Sequence, residues 1–207
     1  MTGQVTERPR ATLDVGHLPE VILGSQDTTW WGTLMFMLIE GTSLAVCAAT
    51  YLYLRTDASA WPPEHVPLPS VLLPTISTLV LLALIVPMWL AARAAKRLDR
   101  AAVTRWLVVA VVLGLVATVL RVFEFGALNV RWDRNAYGSA AWATLGFHAA
   151  LLIVDLLETA VIAAIFLVGP FEEKHFTDAT DAAFYQYFLS LSYVPLYVLV
   201  FLSPRWI

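Results

Sequence analysis

The sequence predicts an all-α, polytopic membrane protein, a bundle of five transmembrane helices with a cytoplasmic N-terminus and an outward-facing C-terminus. Of its 207 residues, 59% are hydrophobic and only 14% are charged, against about 45–50% and about 25% in soluble domains. The apolar residues also fall into five runs long enough to cross a bilayer. A net charge of −3 and the single cysteine, Cys47, exclude a basic nucleic-acid binder and a disulfide-stapled secreted domain.

The first three spans are predicted at residues 30–54, 70–92 and 106–128. Each exceeds the roughly 20 residues that an α-helix needs to cross about 30 Å of hydrocarbon. Glu40 is the one charged residue of the first span. Pro87 lies inside the second span, where we expect it to kink the helix or to mark its end.

The last two spans are predicted at residues 138–168 and 181–203. The fourth contains His148, Asp155 and Glu158 as its ionisable residues. Its length indicates a long, tilted helix. The fifth is predicted from an uncharged run that begins at residue 182.

Basic residues orient these spans, because Lys and Arg are retained in cytoplasmic loops. One short loop is especially rich in them, with Arg93, Lys96, Arg97, Arg100 and Arg105. Together with Arg8, Arg10 and Lys174, the same face carries eight basic residues against four on the other. We therefore expect a polar cytoplasmic arm at residues 1–27, ahead of a membrane domain at 28–207. The basic loop is also a candidate site for anionic lipid head groups.

The main candidate site is a buried ionisable cluster of Glu40, His148, Asp155 and Glu158. At 100° per residue, the last three fall on one polar stripe of the fourth helix, and Glu40 lies at a depth similar to that of Glu158. Because an ionised carboxylate is costly in hydrocarbon, each needs a partner, a proton or a function. Two interpretations stay open: a hydrogen-bonded packing seam, and a proton relay in which repulsion keeps one carboxyl protonated.

Arg121 and Glu124 stand three residues apart, so they can pair on one face of the third span near its outer end. We interpret them as an ion pair that snorkels to the interface and docks the helix end, in preference to a substrate site. The fifth span contains four tyrosines whose hydroxyl groups can donate hydrogen bonds to carbonyl groups of neighbouring helices: Tyr185, Tyr187, Tyr193 and Tyr197.

Residue patterns for catalysis are missing from the sequence. A single cysteine cannot build a thiolate zinc site or a CxxCH haem attachment. A dimetal site would use Glu-x-x-His on each of two helices, and a phosphate loop or an activated nucleophile has its own pattern; neither the pair of Glu-x-x-His motifs nor the other two patterns occur here. We expect no catalytic, cofactor-binding or metal-ligating residue in this chain, and any redox metal to belong to a partner.

Two motifs resemble subunit III of the haem-copper (cytochrome c) oxidases. The first span reads Trp31-Gly32, an apolar stretch with Phe36, and Glu40. The fourth contains Tyr137-Gly138-Ser139 and Gly146-Phe147-His148 at the internal spacing of that family. Weaker similarities are Trp61-Pro62-Pro63, Glu124-Phe125 and Ala182-Ala183-Phe184-Tyr185.

The resemblance is to a short, five-helix form that lacks the first two of the seven spans common in the family. The lipid cleft of longer members would then be open, or completed by another subunit. Leu151 replaces the second histidine of the family, and residues 186–190 replace its Trp-His-Phe-x-Asp motif. Asp155 and Glu158 are additions, which we expect to replace the lost groups as partners of Glu40.

What the resemblance implies is an accessory subunit of a haem-copper terminal oxidase in aerobic respiration, in direct contact with subunit I and in one complex with subunit II. Such a subunit stabilises subunit I, holds phospholipid and assists proton uptake or oxygen access, while haem and copper remain in partner subunits.

Two alternatives stay open: an accessory protein of a nitric oxide reductase, and a self-standing proton-conducting membrane protein. Eleven arginines against two lysines indicate a bacterium, and therefore a multi-pass protein of the inner membrane.

Overall fold

The computed structural model describes residues 23–24 and 27–206, and the regular structure within them is helical throughout. The predicted arm at residues 1–27 lies almost entirely outside these residues. Five long helices follow one another: α1 (Thr28–Thr56), α2 (Leu72–Ala95), α3 (Arg100–Ala127), α4 (Ala136–Val168) and α5 (His175–Tyr197), which continues as a π-helical turn (Val198–Leu202) and a 3-10 turn (Ser203–Arg205). All five are long and apolar enough to cross a membrane. The predicted five-helix membrane fold is confirmed.

Helix ends differ from the predicted spans where polar residues extend a helix beyond its apolar run. The α3 helix begins at Arg100, because the Asp99 side chain caps it by accepting a hydrogen bond from the backbone N–H of Ala102 at 3.0 Å. The α5 helix begins at His175, six residues before the predicted span. Pro87 does not end α2, which continues to Ala95.

The centre of the bundle consists of α4 and α5. The α4 helix packs against α1, α3 and α5, while α5 packs against α1, α2 and α4. The α1 helix lies at the periphery, because it packs mainly against α4 and α5. Large apolar side chains of α1 are therefore exposed, such as Ile39 at 64% and Tyr53 at 72%. In a membrane, this face meets lipid or a partner.

Two apolar clusters stack along the bundle. On α4, the members of one cluster end at Leu152, and those of the other begin at Ile162. Between them lie Asp155, Glu158 and Thr159. These three polar residues of α4 therefore occupy a layer between two apolar cores.

The Tyr-Gly-Ser motif builds the start of α4. Tyr137 packs against Trp61, with ring centroids 5.2 Å apart. A Cβ atom on Gly138 would lie only 2.3 Å from the carbonyl oxygen of Arg131, so the preceding loop can close onto the helix only over a glycine. The Ser139 hydroxyl donates to the carbonyl oxygen of Trp132 at 2.7 Å.

Candidate functional site

Glu40 is bound by a tyrosine from the other end of the sequence. The carboxyl is 6% exposed, and its Oε2 accepts a hydrogen bond from the Tyr185 hydroxyl at 2.5 Å. The side chain of Tyr185 is placed by α5, which packs against α1 at this level. The tyrosine therefore satisfies a carboxyl that would otherwise be costly inside the bundle.

Asp155 and Glu158 lie beside this pair without bonding to Glu40. Asp155 is 2% exposed, its Oδ1 has no hydrogen-bond partner among the described residues, and it interacts electrostatically with both glutamates. Glu158 is exposed, unlike the rest of the polar stripe, and lines a cavity of about 320 Å³ between α1, α4 and α5. Three carboxyl groups are thus close in space, and Tyr185 is the hydrogen-bond partner of Glu40.

His148 does not join these carboxyl groups. Its Nε2 lies 3.0 Å from the carbonyl oxygen of Leu189 on α5, and its Nδ1 lies 3.5 Å from the guanidinium of Arg121. Seven residues separate His148 from Asp155, or about 10 Å along a helix. The predicted four-residue cluster therefore divides between two places, and the histidine belongs to the second.

That second place is a buried network around Arg121 and Glu124. The guanidinium donates to Glu124 Oε2 at 2.5 Å, and the Tyr193 hydroxyl donates to the same oxygen at 2.8 Å. The guanidinium also stacks over the Tyr193 ring, 3.9 Å from its centroid. Arg121 is 2% exposed and Glu124 is fully buried, so the pair joins α3 to α4 and α5 inside the bundle and does not snorkel.

The basic residues at the end of α2 and at the start of α3 have separate surroundings. Arg93 lies over the Trp89 ring, 5.4 Å from its centroid. Arg100 donates twice to the carbonyl oxygen of Phe166, at 3.1 and 2.9 Å, and lies over the Phe171 ring. Arg100 therefore ties the start of α3 to the end of α4, while Arg93 stays at the surface.

An exposed ion pair marks the loop between α4 and α5. Lys174 Nζ lies 2.7 Å from Glu172 Oε2. The hydrogen bond and charge of Lys174 lower the pKa of the Glu172 carboxyl, and Glu172 raises the pKa of Lys174 in the same way. Exposed pairs of this kind contribute little to stability.

At two positions of the replaced Trp-His-Phe-x-Asp motif, the side chains bond to each other. Gln186 Nε2 donates to the Ser190 hydroxyl at 3.0 Å, and both side chains are buried. Leu151 packs in the apolar core. Within the part of the chain that the structure describes, no three His, Cys, Asp or Glu side chains are placed to hold a metal ion.

Two of the tyrosines named from the sequence have acceptors other than those expected, and one buried acid, Asp181, was not predicted. Tyr185 and Tyr193 bond carboxyl groups, and not the carbonyl groups that we expected. Their spacing of eight residues, on a helix that must pack against two carboxyl-bearing helices, was the available signal. Asp181 is 5% exposed, with both carboxylate oxygens unpartnered among the described residues; its position one turn before Tyr185 places it on the same face.

Comparison with known proteins identifies the family. The family model described as cytochrome c oxidase subunit III matches residues 25–205. The chain is 23% identical over 180 residues to cytochrome c oxidase subunit 3 of Synechocystis sp., covering 86% of this chain and 77% of that one. With the protein of the same name from Corynebacterium diphtheriae, identity is 25% over 178 residues, covering 82% and 85%.

A vertebrate relative shows a difference in length. Cytochrome c oxidase subunit 3 of Petromyzon marinus is 29% identical over 142 residues, which cover 68% of this chain and 54% of the relative. The chain thus spans about half the length of that relative, whereas the family model covers nearly all of the present sequence. The chain belongs to the cytochrome c oxidase subunit III family.

Proposed function

We propose that this protein is the accessory subunit III of a haem-copper terminal oxidase in aerobic respiration, placed in a bacterial inner membrane with its N-terminus in the cytoplasm. It binds subunit I directly, in a complex that contains subunit II, and stabilises subunit I during turnover. Haem and copper are held by those partners. The observation that carries the proposal is the match to subunit III over residues 25–205.

The exposed side of α1 supports a role as a partner-binding subunit. Phe36, Ile39 and Tyr53 are all more than half exposed on this helix. Because α1 packs mainly against α4 and α5, much of its circumference is free to contact subunit I or bound phospholipid. Close packing, rather than transfer from water, stabilises such contacts in a bilayer.

The carboxyl groups around Tyr185 support a role in proton uptake. Glu40, Asp155 and Glu158 interact electrostatically with one another, and a group of acids gathered in one place is suited to taking up and releasing protons. Glu158 opens onto a cavity at the bundle surface. Protons collected there would pass toward the surface of subunit I, which performs the chemistry.

The complex itself distinguishes the oxidase from the two alternatives. The tagged chain, purified in mild detergent, should bring down a partner with haem a or haem o together with copper. Haem b with non-haem iron would overturn the oxidase proposal in favour of a nitric oxide reductase. Proton flux through the purified chain alone in liposomes would favour a self-standing conductor.

Glu158→Gln tests the carboxyl groups within the assembled oxidase. We expect slower proton uptake during turnover and a changed carboxyl signal in the infrared spectrum, because the variant removes one of three interacting acids. Glu173→Gln is the matched control, since Glu173 is exposed in the loop before α5. If assembly, activity and infrared signal are all unchanged by Glu158→Gln, the carboxyl groups have no part in proton uptake.

A further inference from the structure

A small cavity lies where four helices meet, beside the polar layer of α4. Its volume is about 10 Å³, and its walls come from α2, α3, α4 and α5. Nearly all the residues that line it are buried. The volume is at the lower limit of what one water molecule requires, about 10–15 Å³, so the cavity admits an occupant of that size and nothing larger.

Two residues that line this cavity carry polar atoms without a partner. Asp155 Oδ1 and Thr159 Oγ1 are buried and have no hydrogen bond to any described residue. Asp155 is 2% exposed and Thr159 is 4% exposed. The two stand four residues apart, which places them on the same face of α4. Buried polar atoms are nearly always bonded either to protein or to ordered water.

The hydroxyl of Thr159 differs from those of two other threonines in the bundle. Thr144, also on α4, donates to the carbonyl oxygen of Ala140 at 2.8 Å, and Thr118 on α3 donates to that of Gly114 at 2.9 Å. A bond to the carbonyl one turn back is the usual way for threonine to satisfy its hydroxyl within a helix. Thr159 makes no such bond in the part of the chain that the structure describes, so its hydroxyl is available to another partner.

Gln186 adds a third polar group to the wall, from α5. It lines the cavity and is 2% exposed. Its Nε2 donates to the Ser190 hydroxyl at 3.0 Å, and its amide oxygen has two lone pairs with which to accept. The cavity therefore brings together a carboxyl oxygen and an amide oxygen, which accept, and a hydroxyl group, which can donate.

We propose that one water molecule binds in this cavity and joins α4 to α5. It donates hydrogen bonds to Asp155 Oδ1 and to the amide oxygen of Gln186, and it accepts one from the Thr159 hydroxyl. About three hydrogen bonds are usual for a buried water. Through this water, Asp155 is linked to the hydrogen bond between Gln186 and Ser190, and the polar layer of α4 continues onto α5.

A metal ion matches the cavity less well than water does. Ca²⁺ takes about six to eight oxygen ligands, whereas Asp155 is the one carboxylate among the residues that line the cavity. Thr159 and Gln186 are uncharged. Water needs no charge from its surroundings, and it both donates and accepts.

An experimental structure of the full chain, purified with the partners it retains in mild detergent, tests the site directly. We expect one density peak in the cavity, about 2.7–3.0 Å from both Asp155 Oδ1 and Thr159 Oγ1. A cavity without density, in a map that shows ordered water elsewhere, would overturn the proposal. So would a peak at the roughly 2.0–2.6 Å of Mg²⁺ and Ca²⁺ contacts, which would identify a bound cation.

Gly114→Ala should expel the water, because it reduces the space. Gly114 lines the cavity from α3, and an added Cβ would lie 3.0 Å from Leu156 Cδ1 and 4.0 Å from Leu84 Cδ2, two other side chains of the wall. We expect the density peak to disappear. Gly126→Ala is the matched control on the same helix, since a Cβ there meets nothing within 4 Å, and it should keep the peak. A peak that persists in Gly114→Ala would contradict binding in this cavity.

Thr159→Val gives a second measurement, whose sign depends on the water. If the hydroxyl donates to water, its loss should shift the unfolding equilibrium about two- to tenfold toward the unfolded state in a denaturant titration in detergent micelles. If the hydroxyl has no partner, the methyl group removes an unsatisfied buried group, and stability should stay unchanged or rise. A Thr159→Val variant at least as stable as the wild type would therefore overturn the proposal. Thr144→Val is the control and should shift the equilibrium less, because the hydroxyl of Thr144 bonds within its own helix.

Discussion

At the scale of single residues, two of the buried carboxyl groups accept hydrogen bonds from tyrosines of α5. Glu124 accepts from Arg121 on its own helix and from Tyr193 on α5. Glu40 accepts from Tyr185, also on α5. The last helix thus supplies a tyrosine to each of two carboxyl groups, and its side chains join α1 and α3 to the centre of the bundle.

Arg121→Met should destabilise the protein by about 3–5 kcal/mol, because Glu124 would keep its buried charge without its partner. Denaturant titration in detergent micelles measures the loss. Arg131→Met removes an arginine from an exposed pair with Asp133, whose side chains are 66% and 36% exposed, and should cost less than about 1 kcal/mol. Equal losses in the two variants would contradict a structural role for the buried pair.

Tyr185→Phe should cost about 1–3 kcal/mol, since it leaves the buried Glu40 carboxyl without its hydroxyl donor. The same change should cost much less in a Glu40→Leu background, where no acceptor remains, so a double-mutant cycle isolates the bond. Tyr53→Phe is the control, because Tyr53 is 72% exposed. Additive losses from Tyr185→Phe and Glu40→Leu would mean that the two residues do not interact.

At the scale of elements, α4 depends on a close approach at its first turn. Gly138→Ala should destabilise the fold by about 1–3 kcal/mol, because the added Cβ would meet backbone at 2.3 Å. Gly146→Ala, in the same helix, meets nothing within 4 Å and should be neutral or stabilising by up to about 1 kcal/mol. Thermal unfolding of both variants gives the comparison, and a neutral Gly138→Ala would refute the close approach.

The helices themselves could be predicted from the sequence, but their polar contacts could not. Runs of apolar residues reveal a span because a membrane-crossing helix needs about 20 of them. The contact between His148 and Arg121 depends on how far α3 and α4 are shifted along each other, which periodicity does not encode. The helical spacing of the polar residues of α4 likewise predicted Glu158 inside the bundle, whereas Glu158 is exposed beside a cavity.

At the scale of the whole molecule, the orientation rests on the basic loop and is open to direct measurement. In a Cys47→Ala background, Leu98→Cys in the α2–α3 loop should react with a membrane-impermeant thiol reagent only from the cytoplasmic side. Asp133→Cys, in the loop before α4, should react only from outside. Leu98 is 49% exposed and Asp133 is also exposed, so access does not limit either reaction; the reverse pattern would invert the topology.

The bond between Glu40 and Tyr185 also has a consequence in time. Its two residues are 145 positions apart, and ribosomes add about 5–20 residues per second. The glutamate is therefore synthesised roughly 7–29 s before its donor. Throughout that interval, a chaperone, the insertion machinery or a bound proton has to shield this side chain, and in a Tyr185→Phe variant that need would not end when synthesis does.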